Sequence, residues 1–262
     1  MEIGWDIIAL LSLVGLCAGF IDSIAGGGGL IALPAILATG MSPLAALGTN
    51  KAQCIFGTIT ATYRFAKAGL VEWRYITPAI IGAAVGACIG VWAVQSVSPG
   101  GLKFVIPLLL LLAAGYFLFS PRMHDEDAHR RLSTRGFTVA AAGLGFYDGF
   151  FGPGAGSFYT AGLVALYGMG LTRATAHTKV LNMTSNVIAT VAFSIAGYPV
   201  WKVGIAMGLG QIAGAWIGTH YAVRHGAKVI RPLIIIVSLG LTLRLLLDPE
   251  NLLRQFVVER FL

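Results

Sequence analysis

Charged residues are scarce in this sequence. They account for 11% of its 262 residues, whereas hydrophobic residues account for 56%. Soluble domains carry roughly 25% charged residues, and so low a share of charge cannot cover a surface that faces water. The composition therefore excludes a soluble globular domain, a disordered chain and a nucleic-acid-binding domain. We assign the net charge of +7 to basic loops beside a lipid bilayer.

Long polar segments and paired cysteines are lacking as well. The longest clearly polar stretch runs only from Ser120 to Arg135, which leaves no room for an attached soluble domain. The three cysteines all lie in apolar runs, so we expect small buried thiols rather than a disulfide framework. No Lys or Arg precedes Lys51, and a cleavable signal peptide begins with basic residues, so the first apolar segment is expected to stay in the membrane.

Signatures of catalysis and cofactor binding are also missing. No Walker A sequence follows the glycine tract, so ATP-driven transport by this chain alone is not expected. No pair among the five histidines has metal-ligand spacing. We therefore predict a protein that is not an enzyme, with no catalytic residues, no metal and no cofactor.

Apolar runs separated by short breaks fill most of the chain. Six of the ten runs are near the length of about 20 residues that a helix needs to cross the hydrocarbon core. The other four are shorter and form two glycine-broken pairs, Ile7–Ile21 with Leu30–Ala38 and Phe137–Phe151 with Phe158–Tyr167. These runs predict a polytopic membrane protein built only of helices.

The two broken pairs occupy equivalent places in an internal duplication. Residues 19–22 (Gly-Phe-Ile-Asp) recur as 145–148 (Gly-Phe-Tyr-Asp), and Lys51 corresponds to Lys179. Two glycine rows at four-residue spacing, one in each copy, predict close helix packing; they comprise Gly82, Gly86 and Gly90, and Gly210, Gly214 and Gly218. We predict two repeats, each with one broken helical pair and three spanning helices, giving 8 to 10 membrane segments. The predicted boundaries are a first transmembrane repeat at 1–120, a cytoplasmic linker at 121–135 and a second transmembrane repeat at 136–262, together one integral membrane domain.

The distribution of basic residues predicts how the repeats are oriented. With the linker cytoplasmic, twelve Lys and Arg residues lie inside and five outside, with Arg244 left within the last span. Equivalent loops then lie on opposite sides, so the repeats are predicted to have inverted topology. The protein is expected to be a multi-pass protein of the inner membrane with both termini outside.

The glycine tracts are the first candidates for a binding site. Irregular backbone cannot face lipid, so it must line a cavity. Broken helices at matching positions of inverted repeats mark transporter sites near the bilayer midplane, and helix N-termini there attract anions. The alternative, in which the glycines only allow close packing, stays open. The candidate residues in the two tracts are Gly26, Gly27, Gly28 and Gly29, and Gly152, Gly154, Gly156 and Ser157.

Polar groups around the two duplicated lysines complete the predicted anion site. Each lysine follows hydroxyl, amide or imidazole groups that can bind an oxyanion, although either lysine could instead extend to the membrane interface. The candidates are Thr49, Asn50 and Lys51, and His177, Thr178 and Lys179, with Asn182 and Asn186 further along the second copy. The counterparts of these two asparagines are Cys54 and Thr58, so the cavity is expected to be asymmetric.

Asp22 and Asp148 end the first helix of each broken pair. Carboxylates within a membrane are costly and mark functional sites. Three roles stay open for them: pairing with a lysine, capping the next turn, or carrying a proton. Two membrane aspartates also raise the alternative of an intramembrane aspartyl protease, but the Gly-x-Gly-Asp sequence of that class is absent around Asp22.

Several of these motifs together resemble the TauE/SafE sulfite exporter family, also called the four-toluene sulfonate uptake permeases. The resemblance covers nearly the whole chain, with two departures in the second copy, the sequence at 152–156 and His177 in place of Thr49. The motifs are Gly19-Phe20-Ile21-Asp22-Ser23-Ile24-Ala25 before four glycines, Leu33-Pro34, Ala46-Leu47-Gly48-Thr49-Asn50-Lys51, and Tyr63 with Gly69.

The resemblance implies a permease that moves small sulfur-containing anions such as sulfite, sulfonates, sulfoacetate or thiosulfate by secondary transport. We expect alternating access, with proton coupling on Asp22 and Asp148 as a candidate, and with the anion and the bilayer as partners. The bulky part of a substrate is expected to touch aromatic side chains, namely Phe20, Phe146, Phe150 or Phe151. A passive anion channel and a cation or metal carrier using the two aspartates are the alternatives. Nucleic acid is not expected as a partner, and a homodimer is not derivable from the sequence.

Overall fold

The computed structural model describes residues 4–119, 126–127 and 131–226. Within these ranges the chain forms nine α-helices and no β-strand, which confirms the all-helical prediction. The predicted run Pro232–Leu247 lies outside the described residues. The helices are α1 (Trp5–Ala25), α2 (Gly29–Leu37), α3 (Pro43–Lys67), α4 (Trp73–Gln95), α5 (Pro99–Phe119), α6 (Thr134–Phe150), α7 (Ala155–Ala165), α8 (Leu171–Ile195) and α9 (Trp201–His225).

Among the described helices, α1 and α4 are both long enough and apolar enough to cross a membrane by length and composition alone. Helices α3, α8 and α9 have 25 residues each, but buried polar side chains interrupt their apolar character. Large apolar side chains such as Trp92 on α4 and Ile195 on α8 are more than 70% exposed. An outer surface of this kind is what a lipid environment favours.

Local sequence signals set several helix boundaries. Proline occupies the first position of α3, and Ser42 before it accepts a hydrogen bond from the Ala45 amide at 3.4 Å. Ser133 caps α6 in the same way through the Gly136 amide at 3.2 Å. These are common starts for helices, because a side-chain oxygen satisfies an amide that has no partner within the helix.

Helices α6 and α7 form a hairpin that returns to the end from which it began. The Leu132 amide, just before α6, donates to the Leu166 carbonyl, just after α7, at 2.9 Å. A Cβ atom on Gly162 of α7 would contact Leu144 of α6. The first broken pair also folds back, since a Cβ on Gly28 would overlap the carbonyl oxygen of Ala18, which lies about two turns before the end of α1.

Each copy of the duplication packs its glycine row against the other copy. A Cβ on Gly86 of α4 would overlap the Ala142 carbonyl of α6, and a Cβ on Gly214 of α9 would overlap the Leu16 carbonyl of α1. The packing role predicted for both rows is therefore confirmed. Each of these two pairs, α4 with α6 and α1 with α9, joins a helix of the first copy to a helix of the second. Neither copy therefore forms a separate bundle.

Contacts between loops define two ends of the bundle. Arg173 forms ion pairs with Glu72 and Asp127, so the α7–α8 and α3–α4 connections and the linker meet at one end, which we call the linker-side end. The Lys202 ammonium lies 4.1 Å from the centre of the Trp5 ring, which places the α8–α9 connection beside the start of α1. We call this the opposite end.

Candidate functional site

The two glycine breaks meet each other in the interior. Gly26 and Gly154 have φ angles of +80° and +82°, a left-handed conformation that side chains disfavour. A Cβ on Gly156 would lie 2.7 Å from the Gly26 Cα, so the two backbones touch. The Ser157 hydroxyl donates across the contact to the Ala25 carbonyl. Glycine is thus required here both for backbone conformation and for close approach.

A small polar cavity, with room for about one water molecule, lies at this junction. It is lined by residues of both copies, as expected if the two breaks form one site. The lining residues are Asp22, Gly26, Gly29, Asn50, Lys51, Cys54, Asp148, Gly152, Gly154, Gly156, Asn182 and Asn186.

The cavity holds a closed circuit of four polar side chains, which we call the polar ring. The Lys51 ammonium donates to Asp148 Oδ1 at 2.6 Å and to Asn186 Oδ1 at 3.1 Å. Asn182 donates to Asp148 Oδ2 at 3.0 Å, and Asn186 donates to Asn182 Oδ1 at 3.1 Å. The ring joins α3, α6 and α8, and its four members are at least 95% buried.

Lys51 and Asp148 form a buried ion pair within this ring. The side chains of Lys51 and Asp148 are 2% and 1% exposed, so both charges are removed from water. Burying an ion pair is tolerated only with good geometry and further hydrogen bonds, which Asn182 and Asn186 supply. Gly152 completes the arrangement, because a Cβ there would lie 2.5 Å from the Lys51 ammonium.

Lys179 has a different position from its counterpart. It does not line the cavity; its ammonium donates to the backbone carbonyl of Asp22, and lies 3.4 Å from the Asp22 carboxylate. The Asp22 carboxylate in turn accepts from the Gly28 amide at 3.4 Å. Lys179 therefore caps the C-terminal end of α1, where a positive charge is favoured.

Thr49 and His177 also lie away from the cavity and make matching contacts. Thr49 Oγ1 accepts a hydrogen bond from the Val200 amide at 2.9 Å, and His177 Nε2 accepts one from the Glu72 amide at 3.0 Å. Val200 and Glu72 are the residues that precede α9 and α4. The two side chains thus join the copies at opposite ends of the bundle, and a direct contact of either with substrate stays a prediction.

The remaining predicted residues divide between the cavity wall and its surroundings. The Thr178 hydroxyl is hydrogen-bonded to the Thr160 hydroxyl at 3.0 Å and does not line the cavity. Gly27, Gly28 and Ser157 belong to the glycine breaks but do not line the cavity either. None of the four aromatic candidates lines it; Phe146 and Phe150 stack on each other with ring centres 6.0 Å apart.

Sequence reasoning passed over Cys54 as a site residue. Its position in the cavity wall follows from the duplication, because Cys54 corresponds to Asn182. A second omission is the buried amide pair in which Gln211 donates to Gln53 at 2.6 Å, next to Asn50. Neither glutamine has a polar counterpart in the other copy, so the duplication gave no signal for this pair. In the described part of the chain, no three His, Cys, Asp or Glu side chains are grouped to hold a metal ion.

Comparisons with known proteins agree with the motifs. The family model described as Sulfite exporter TauE/SafE matches residues 11–245. A Sinorhizobium protein named Probable membrane transporter protein ORF9 is 47% identical over 254 residues, covering 97% of both chains. A Haemophilus influenzae protein named Probable membrane transporter protein is 43% identical, covering 95% of this chain and 98% of the relative.

A third relative is the Escherichia coli K12 protein named Probable membrane transporter protein YfcA. It is 43% identical over 246 residues, covering 94% of this chain and 91% of the relative. No solved structure matches the chain significantly. With the family model and relatives at 43–47% identity covering nearly its whole length, the chain belongs to the TauE/SafE sulfite exporter family and is a membrane transporter.

Proposed function

We propose that this protein is a secondary transporter that moves a small sulfur-containing anion, of the sulfite, sulfonate, sulfoacetate or thiosulfate type, across the inner membrane by alternating access. The observation that carries the proposal is the Lys51 ammonium, which lines a polar cavity between two broken helices. A cation at such a depth is costly unless it serves a ligand or a counter-ion. A small oxyanion is the solute that this cation and the surrounding backbone favour.

Asp148 suggests how substrate and proton are linked. In the described state its carboxylate neutralises Lys51 at 2.6 Å. An anion can become the partner of Lys51 without leaving two negative charges together if Asp148 takes up a proton, since like charges at close range disfavour ionisation. We therefore assign proton coupling to Asp148. Asp22 lies beside Lys179, whose ammonium donates to the Asp22 backbone carbonyl. We assign to Asp22 a structural role, which is to stabilise the C-terminal end of α1.

The packing supports inverted repeats. Equivalent helices exchange partners between the copies, and the Thr49 and His177 contacts are equivalent but lie at opposite ends of the bundle. Since Lys51 and Lys179 are interior residues, the count of basic loop residues becomes eleven against four. We propose a cytoplasmic linker-side end and outward-facing termini. A reporter fused at the C-terminus that proved to be cytoplasmic would overturn this orientation.

The test is anion flux in proteoliposomes containing the purified protein. Labelled sulfite and an alkyl sulfonate should enter down a gradient and should exchange by counterflow. Lys51→Gln should reduce flux by at least about 100-fold, because the lost charge serves the substrate directly within a low-dielectric site. Lys103→Gln is the matched control, since Lys103 is exposed at the start of α5, and its flux should equal that of the parent.

Two results would count against the proposal. Full sulfite and sulfonate flux in a folded Lys51→Gln protein would remove the lysine from the mechanism. Continuous conductance in planar bilayers without counterflow would replace the carrier with an anion channel. Repeating the flux measurement with an imposed pH gradient tests the coupling, because Asp148→Asn should lose any dependence on that gradient.

A further inference from the structure

A polar stripe runs along one side of α3, from the cavity towards the linker-side end. It consists of Lys51, Cys54, Thr58 and Thr62. At 3.6 residues per turn these positions fall within an arc of about 80°, and Thr62 lies about 16 Å along the axis from Lys51. Lys51, Thr58 and Thr62 are all at least 95% buried, so the stripe faces protein rather than lipid.

Helix α8 carries an equivalent stripe that runs towards the opposite end. It consists of Lys179, Asn182, Asn186 and Thr190, at the same spacing and all at least 94% buried. Helix α3 ends shortly before Glu72, at the linker-side end, whereas α8 ends shortly before Lys202, at the opposite end. The two stripes therefore share the cavity region and diverge to opposite ends of the bundle.

The outermost residues of the stripes have unusual hydroxyl groups. The hydroxyls of Thr62 and Thr190 are buried without a hydrogen-bond partner among the described residues. Eight other threonines in the described helices donate to the carbonyl four residues earlier, which is the easiest way to satisfy a hydroxyl in an apolar setting; they are Thr58, Thr60, Thr77, Thr138, Thr160, Thr175, Thr184 and Thr219.

We infer that the two stripes are the two halves of the substrate pathway, with Thr62 and Thr190 as its outer polar contacts. Buried polar groups are normally hydrogen-bonded, so a pair of unsatisfied hydroxyls at duplicated positions indicates a ligand that is transient. A hydrated oxyanion supplies acceptors for both hydroxyls on its way to Lys51. This inference rests on the proposed function, because it takes the same anion as its substrate.

Site-directed labelling tests the pathway. Cys17 and Cys88 are replaced by Ala and Cys54 by Ser, and Thr62→Cys or Thr190→Cys is then introduced. A charged, membrane-impermeant thiosulfonate is added to right-side-out or inside-out vesicles, and its incorporation is measured by mass. We expect Thr62→Cys to react only from the linker-side end and Thr190→Cys only from the opposite end, each slowed at least tenfold by a saturating alkyl sulfonate, which does not attack the reagent as sulfite would. If the parent with Cys54→Ser lacks flux, Cys54 is retained in all variants. Labelling is then measured as the increase over the protein that carries Cys54 as its only cysteine.

Neighbouring lipid-facing positions provide the matched controls. Ile59 on α3 and Val191 on α8 are 47% and 54% exposed on the outer surface of the bundle. Ile59→Cys and Val191→Cys should not react from either side, because hydrocarbon excludes both the charged reagent and the thiolate. Labelling of either threonine position no faster than these controls, or from the wrong end, or from both ends, overturns the inference.

A second variant tests the hydroxyl groups themselves. Thr62→Val and Thr190→Val keep the side-chain shape and remove one hydrogen bond to the anion, so each should lower sulfite turnover by about two- to tenfold. Thr60→Val is the control, since the Thr60 hydroxyl donates to Phe56 within its own helix at 2.7 Å. Unchanged turnover in both variants overturns the assigned role of the hydroxyls.

Measuring sulfite flux in the same vesicles keeps the two proposals apart. Flux in the parent together with unreactive Thr62→Cys and Thr190→Cys overturns the pathway and leaves the transport function standing. Reaction at both positions without flux of any sulfur oxyanion supports the pathway and overturns the proposed substrate class.

Discussion

At the scale of single residues, the polar ring explains why duplicated lysines have unequal roles. Lys51 has the Asp148 carboxylate and the Asn186 amide oxygen as acceptors, whereas Lys179 has a backbone carbonyl as its nearest acceptor. The difference follows from the helix that each lysine meets and from the asparagines present only on α8. The ring should therefore respond to substitution as a unit.

A double-mutant cycle tests this coupling. Lys51→Met or Asp148→Asn alone removes one partner of a buried pair and should lower the free energy of unfolding by about 3–5 kcal/mol. The double variant leaves no unpaired charge, so it should recover most of that loss while sulfite flux stays absent. Thermal unfolding in detergent measures the first effect and proteoliposome flux the second. Additive destabilisation in the double variant would show that the pair is not coupled.

Single residues also show what the sequence could and could not predict. Pairing of an aspartate with a lysine was one of three open roles, and the structure shows it for Asp148. The exchange of partners between copies was not predictable, because duplication fixes which residues are equivalent and not which copy they contact. Thr49 and His177 lie two positions before the lysines, and positions two apart on a helix point in directions about 200° apart. Their side chains consequently meet the ends of α9 and α4 instead of the cavity.

At the scale of helices, the breaks were the most predictable feature. The glycine-broken runs correspond to α1 with α2 and to α6 with α7, because glycine tracts interrupt helices through their backbone freedom. Whether a broken pair crosses the membrane or turns back was not predictable from run length. The bond between Leu132 and Leu166 shows that the second pair folds back, so that its two ends lie together.

The glycine rows lead to a prediction about helix packing. Gly86→Ala and Gly214→Ala should each destabilise the protein severely, by several kcal/mol, because the added Cβ overlaps backbone of another helix that cannot yield without separating the pair. Gly143→Ala on α6 is the control, since nothing lies within 4 Å of the Cβ position. Size-exclusion profiles and unfolding temperatures report the difference. Native-like behaviour of Gly86→Ala would contradict the close contact of α4 with α6.

At the scale of the whole molecule, the two ends of the bundle differ in charge. The linker-side end holds Glu72, Asp127 and Arg173 in an ion-pair network, and the Gly170 amide donates to Asp127 at 2.7 Å. At the corresponding place of the other end, the Thr49–Val200 bond is uncharged. The asymmetry was not visible from the duplication, because Asp127 belongs to the linker and has no counterpart.

We expect the ion-pair network to hold the linker-side end closed. The pairs are partly exposed, so each is worth about 0–1 kcal/mol, and Arg173→Ala should raise the labelling rate of Thr62→Cys by about two- to fivefold. Arg173→Lys, which keeps a positive charge beside Glu72 and Asp127, should leave the rate close to that of the parent. Arg74→Ala is a control on the neighbouring loop, because no ion pair of Arg74 is found in the described part of the chain. An unchanged rate in Arg173→Ala would show that the network does not restrain this end.

The exchange of helices between the copies has a consequence for biosynthesis. Helix α1 ends at Ala25 and its main partner α9 begins at Trp201, so 175 residues lie between the two in the chain. At a ribosomal rate of about 5–20 residues per second, α1 waits roughly 9–35 s for its partner to be made. During that interval the face of α1 that later meets α9 must be occupied by lipid or by an insertion factor. Slowing translation should therefore lower the yield of this transporter more than that of a protein whose neighbouring helices are consecutive in the chain.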